Sequence, residues 1–153
     1  MEKIFLSYAS TAGHTEYVTD ILMNFLQDVG GVTVERKRAE ICVPEDLLKG
    51  DVLVLASGTW NTGGVEGQLN PYMHRLLKEQ AAKVDLKGKK VACIALGDER
   101  YHYTAEARVH LEEFVRTHNG TLLMDSLVIV NEPYGQEKAV REWGREFLSH
   151  LSR

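Results

Sequence analysis

Along the 153 residues, short continuous apolar runs alternate with stretches in which apolar residues recur every three or four positions. The runs IFLSY (4–8), VTVER (32–36), VLVLAS (52–57), VACIALG (91–97) and TLLMDSLVIV (121–130) have the length of strands. Several are apolar throughout, as expected of parallel strands covered on both faces. The last should be irregular at Asp125 and Ser126. Helical stripes lie between the runs: Val18, Ile21, Leu22, Phe25, Leu26 and Val29; Leu69, Tyr72, Met73, Leu76 and Leu77; Ala107, Leu111, Phe114 and Val115; Val140, Trp143, Phe147, Leu148 and Leu151. Gly30 and Gly31 are expected to end the first helix and Gly120 the third, and a short helical turn is expected after Pro44. The sum is β-α repeated five times. That order predicts an α/β fold, a doubly wound parallel sheet with right-handed crossovers and helices on both faces.

With 44% hydrophobic residues the chain is long enough for one core and short for two, so residues 1–153 are expected to form a single domain. A net charge of -4 offers no basic surface for nucleic acid or an anionic membrane. The N-terminus lacks a secretory pattern, and no apolar run approaches the ~18 residues of a membrane span, so a cytoplasmic location is expected. Cys42 and Cys93 have neither disulfide-framework nor metal-site spacing and read as reduced thiols.

In a doubly wound sheet, ligands bind beyond the carboxyl ends of the strands, where strand order reverses. The candidate chemistry therefore belongs to the loops after strands one, three and four. After strand one comes STAGHT: Ser10, Thr11 and Thr15 offer hydroxyls, and Gly13 permits a turn that aims backbone N–H groups at an anion. A phosphate needs no lysine there, and the absence of GxxxxGK[ST] and GxGxxG weighs against nucleotide hydrolysis and dinucleotide binding. After strand three comes SGTWNTGGVEGQL (57–69), where Trp60 in a glycine-rich loop suits stacking on a planar ligand. After strand four comes LGDERYHY (96–103), with Tyr101 and Tyr103. Two aromatics brought beside an anion site point to a planar, phosphorylated ligand. Each feature alone has a plainer reading, as a helix cap or as cover for the sheet edge.

Over nearly its whole length the chain resembles the flavodoxins, small electron carriers that bind FMN without a covalent link. The resemblance implies strand order 2-1-3-4-5, a type example of the switch-point rule, and the short-chain form, since the last strand runs into its helix without a long insertion. It carries phosphate binding onto Ser10, Thr11, Ala12, Gly13, His14 and Thr15. Gly58, Thr59, Trp60, Asn61, Thr62 and Gly63 match the loop whose Trp covers one flavin face; Leu96, Gly97, Asp98, Tyr101 and His102 match the loop whose Tyr covers the other. The implied function is low-potential one-electron transfer by a monomer, with no catalytic residue and no metal. The implied partners are redox proteins: a flavodoxin or ferredoxin reductase, or an oxidoreductase, as donor and a low-potential enzyme as acceptor. Flavin chemistry belongs to the cofactor while the protein sets its electrostatics. A charge ~5 Å from the ring at an effective dielectric of ~20 costs about 3 kcal/mol, or roughly 140 mV for one electron.

Several residues depart from the family's pattern. Asn61 stands where many relatives have Gly, whose peptide flips to meet the reduced flavin; Asn is less free to do so, and a less stabilised half-reduced flavin is expected. His14 stands where Asn is common and adds positive charge beside the phosphate when protonated. His102 stands where an acid is frequent, and its titration would couple the lower potential to pH. Gly58 replaces a hydroxyl found in some relatives. Glu66, Asp98, Glu99 and Glu132 are expected to form an acidic rim interrupted by Arg100, and ERKR (35–38) reads as a solvated cluster on an edge strand. The competing functions are a flavin enzyme of the quinone reductase or ribonucleotide reductase activator type, a phosphoacceptor receiver domain and a cofactor-free interaction module. The receiver reading lacks its acidic residues, since Ser7, Tyr8, Ala9 and Ser57, Gly58, Thr59 stand in their places.

Overall fold

The computed structural model describes residues 2–64, 66–98 and 105–151. Strands β1 (Glu2–Ala9), β2 (Val32–Arg38), β3 (Val52–Trp60) and β5 (Lys90–Gly97) form the parallel centre of one sheet. β6 (Thr121–Leu122) and β7 (Leu127–Val130) both pair with β5 and act as two halves of one interrupted strand. The order is thus β2-β1-β3-β5-β6/β7, the 2-1-3-4-5 arrangement that the family resemblance implies. One element was not foreseen: β4 (Gln68–Leu69) folds back antiparallel on the end of β3.

The continuous apolar runs are explained by two cores, one on each face. Alternate residues of β1 and β3, Ile4, Leu6, Val52 and Val54, pack with Val18, Leu22 and Leu26 of α1 (His14–Val29) and Val140, Trp143 and Phe147 of α4 (Glu137–Ser149). The intervening Phe5, Leu53 and Leu55 meet Met73 of α2 (Pro71–His74), Leu76 of the π-type turn that extends it (Arg75–Gln80), and Leu111 and Phe114 of α3 (Ala107–Thr117). Period-two alternation within each strand divides the apolar residues between the faces, so neither face is polar.

The connection between β2 and β3 contains 3-10 turns, Ala39–Ile41 and Pro44–Leu48, rather than a fifth α-helix. Proline supplies the first-turn geometry, but only Asp46 and Leu47 of the second turn are buried, too small an apolar stripe to hold a longer helix. Leu69, assigned by its spacing to the second helical stripe, instead belongs to β4. The interruption at Leu123–Ser126 is pinned from both sides: Trp143 Nε1 donates to the Asp125 carbonyl (2.9 Å), and Ser126 Oγ donates to Glu112 (2.6 Å). The edge strand β2 departs from the expectation of a solvated cluster. Arg36 pairs with Asp20 (2.5 Å), Arg38 with Glu16, and Lys37 with the buried Asp46 (2.8 Å). Its cations are neutralised against the body of the protein. Among the described residues no helix is long and apolar enough to cross a membrane, and Cys42 and Cys93 are buried, unbridged thiols.

Candidate functional site

The loops at the carboxyl ends of β1, β3, β5 and β7 enclose a cleft of about 860 Å³, within the ~300–1,000 Å³ usual for small-molecule sites. Its first wall is the turn into α1. Ser10 Oγ accepts the Gly13 N–H (3.0 Å), and Gly13 adopts a left-handed conformation (φ 88°) that reverses the chain into the helix. Ser10, Thr11, Ala12, His14 and Thr15 line the cleft. Gly13 does not, and acts by shaping the turn. The first N–H groups of a helix have no partner within it and carry partial positive charge, which makes this wall an anion site without a cation.

The second wall is the end of β3. Trp60, read from the sequence as a loop residue, is the last residue of the strand, pairs with Gln68 of β4, is 39% exposed and lines the cleft. A Cβ added at Gly58 would stand 3.3 Å from Trp60 Nε1 and 3.9 Å from Thr15 Oγ1. The hydroxyl expected here in relatives would crowd the indole; glycine lets the indole edge reach toward the phosphate-type loop. Thr59 Oγ1 donates to the Leu96 carbonyl (2.8 Å) and accepts the Ala107 N–H (3.2 Å), so this hydroxyl joins β3, β5 and α3. Asn61 lines the cleft, and its carbonyl accepts the Gly64 N–H (2.9 Å). Thr62 and Gly63 do not line it: the Thr62 hydroxyl turns back to the Leu69 carbonyl (2.5 Å).

Leu96, Gly97 and Asp98 form the third wall. A Cβ on Gly97 would fall 2.3 Å from the Ala105 nitrogen, so the chain returning at Ala105 can pack here only against glycine. Tyr101 and His102, with Glu99, Arg100 and Tyr103, lie outside the described residues.

Sequence reasoning misses Asn70 and Asn131 as lining residues, and places Glu66 and Glu132 only in a rim. Asn131 follows β7 with φ 69° and donates its N–H to the Gly97 carbonyl (2.7 Å). Asn followed by Glu-Pro directly after a strand is a turn signal that could have directed attention there. Asn70 is 1% exposed and gave no signal beyond its place before Pro71.

The described lining contains three acids, Glu66, Asp98 and Glu132, no lysine or arginine, and one histidine, His14. Edge-on contact with Tyr134 (5.7 Å between centroids) joins His14 to Tyr17 (4.8 Å from Tyr134), whose hydroxyl donates to Glu137 (2.5 Å). That hydrogen bond holds the Glu137 carboxyl below its ordinary range. Behind the α1 turn, Tyr8 donates to Glu16 (3.0 Å) under the guanidinium groups of Arg36 and Arg38. Burial, then the bond to Glu16, push its hydroxyl pKa up.

A flavodoxin family model matches residues 6–143. The chain belongs to the flavodoxin family. It is 26% identical to "Probable flavodoxin 2" of Bacillus subtilis (strain 168) over 148 residues, 96% of this chain and 95% of the relative. It is 29% identical to a flavodoxin of Maridesulfovibrio salexigens over 145 residues, 94% and 95% of the two chains. Among solved structures, oxidised flavodoxin 2 from Bacillus cereus superposes with a TM-score of 0.85 at 27% identity, covering 97% of this chain and 99% of the other. A short-chain flavodoxin associated with a bacterial microcompartment shares the fold, with a TM-score of 0.85 at 21% identity over 99% and 100%. The protein is thus a flavodoxin of short-chain length, an FMN-binding, low-potential electron carrier and not an enzyme, and its partners are redox proteins.

The residues present fit that cofactor. Open helix N–H groups and hydroxyls suit a phosphate, a half-exposed indole suits a flat ring, and the buried Asn70 Nδ2 is a donor with no acceptor.

Proposed function

We propose that FMN lies across this cleft with its phosphate on Ser10–Thr15 and its ring against Trp60. The observation that carries the placement is the pairing of an open, cation-free helix N-terminus with a half-exposed tryptophan in one cleft. Bound FMN supplies one-electron redox chemistry. The α1 turn holds the phosphate through neutral donors, and Ser10 and Gly13 pre-shape that turn by their own hydrogen bond, so little ordering remains to be done on binding. Trp60 covers one ring face and excludes water there. Thr59 braces the strand ends beneath, while Asn61, Leu96, Gly97 and Asp98 border the ring; Tyr101 and His102 complete the proposed set.

The three lining carboxylates disfavour added negative charge and so favour a low potential. They also give the cleft mouth the polarity that recruits basic partner surfaces. The donor proposed is a flavodoxin or ferredoxin reductase, or an oxidoreductase, and the acceptor a low-potential enzyme. We place the chain in the cytoplasm as a single-domain monomer, a setting that suits its two unbridged thiols. Absorbance of the purified protein during stepwise anaerobic reduction tests the cofactor assignment. Bound-flavin bands bleaching in two one-electron steps are expected; a colourless protein that takes up no added FMN would refute it.

A further inference from the structure

Asn70 joins β4 to α2, and its other polar groups are accounted for. Its N–H donates to Ser57 Oγ (3.1 Å), its Oδ1 accepts the Tyr72 N–H (2.9 Å), and its carbonyl accepts the His74 N–H (2.8 Å). Nδ2 has no acceptor and is, among the described residues, the only buried side-chain nitrogen or oxygen in that state. Exchanging the amide oxygen and nitrogen is no remedy, because it would aim an NH2 group at the Tyr72 N–H. A buried donor left unpaired is destabilising. The protein carries that cost at a residue lining its binding cleft.

The surroundings indicate what the donor awaits. Ser57, bonded to Asn70, pairs in register with Ala9, the residue just before the phosphate-type turn, and stands on the same strand end as Trp60. Asn70 therefore sits under the stretch of cleft between the phosphate-type turn and the tryptophan. We propose that Asn70 Nδ2 donates a hydrogen bond to an oxygen of the polyol–phosphate chain of FMN, which makes Asn70 a recognition residue for that chain as well as a helix cap. The inference rests on the FMN assignment above.

The test compares wild-type protein with Asn70→Ser, which is neutral and still caps α2 but cannot reach. Affinities are measured by fluorescence titration with FMN, riboflavin and lumiflavin, which has the ring and no polyol. The variant should bind FMN about three- to tenfold more weakly, as loss of one hydrogen bond implies, bind lumiflavin unchanged, and show no fall in apo-protein melting temperature, since it removes a buried donor that has no partner. An equal loss for riboflavin places the acceptor on the polyol; a loss confined to FMN places it on the phosphate. In wild-type protein, the Asn70 side-chain NH2 resonances should shift with FMN more than with lumiflavin. Equal weakening for all three flavins, or unchanged FMN affinity with unmoved resonances, would overturn the proposal and leave Asn70 a cap alone. Wild-type protein that binds no FMN would instead strike the cofactor assignment.

Discussion

Replacing Asp46 with Asn should destabilise the protein by an amount that depends on pH in a calculable way. Asp46 is 3% exposed. Burial raises its carboxyl pKa, but hydrogen bonds from Lys37 (2.8 Å), the Val43 N–H (2.9 Å) and Lys49 outweigh that effect and bring it from 3.8 to about 2. That fall is worth about 2.5 kcal/mol. Because the folded-state value is depressed, the stabilisation is fully present above the unfolded pKa and is lost as pH falls through the folded one. It is complete by about pH 5, about 1.3 kcal/mol at pH 3 and about 0.4 kcal/mol at pH 2. Asn keeps the shape and the acceptor for Val43 but removes the charge opposite two lysines. Urea unfolding of both proteins at pH 7 and pH 3 should therefore show a deficit of about 2–3 kcal/mol that roughly halves on acidification, or about 5–10 °C of melting temperature at pH 7. A deficit equal at both pH values would show that Asp46 acts by shape alone, and the charge argument for β2 would fail.

Two further outcomes are expected. Trp60→Ala should weaken FMN binding by about 1–3 kcal/mol, the usual contribution of an aromatic stacking platform, with little change in apo-protein melting temperature because the side chain is 39% exposed; calorimetric titration and a thermal scan separate the two effects. Burial pushes the Cys42 and Cys93 thiols up in pKa, so Ellman's reagent should detect no thiol in native protein and two after unfolding; prompt reaction before unfolding would contradict the packing described.

The doubly wound α/β class, the division of the core and most of the cleft could be read from the sequence because each rests on local chemistry repeated along the chain, whereas the strand order came from the family resemblance. Continuous apolar strands imply cover on both faces, and a hydroxyl-glycine turn before an amphipathic helix implies an anion site wherever the helix lies. What escaped depended on contacts between distant segments. Trp60 looked like a loop residue because the strand that receives it, β4, is two residues long and has no pattern of its own. Arg36, Lys37 and Arg38 looked solvated because their partners Asp20, Glu16 and Asp46 belong to other elements. Asn70 is an ordinary cap in sequence terms, and its unpaired amide appears only when every other polar group around it has been given a partner.

The distribution of charge in the cleft links these local features to the work of an electron carrier. An anion site built on lysine or arginine would hold the phosphate more strongly, but it would also place a full positive charge in the same cleft as the ring. At ~10 Å and an effective dielectric of ~20 such a charge stabilises an added electron by about 1.7 kcal/mol, roughly 70 mV toward a weaker reductant. Helix N–H groups and hydroxyls avoid this because their partial charges fall off within about a turn of the helix. The described lining follows that logic throughout, with neutral donors at the α1 turn, three carboxylates and no lysine or arginine. The cation-free turn after β1 and the acids around the cleft are then two parts of one electrostatic arrangement, which in the proposed placement of FMN would hold a doubly charged phosphate while keeping the field at the ring negative.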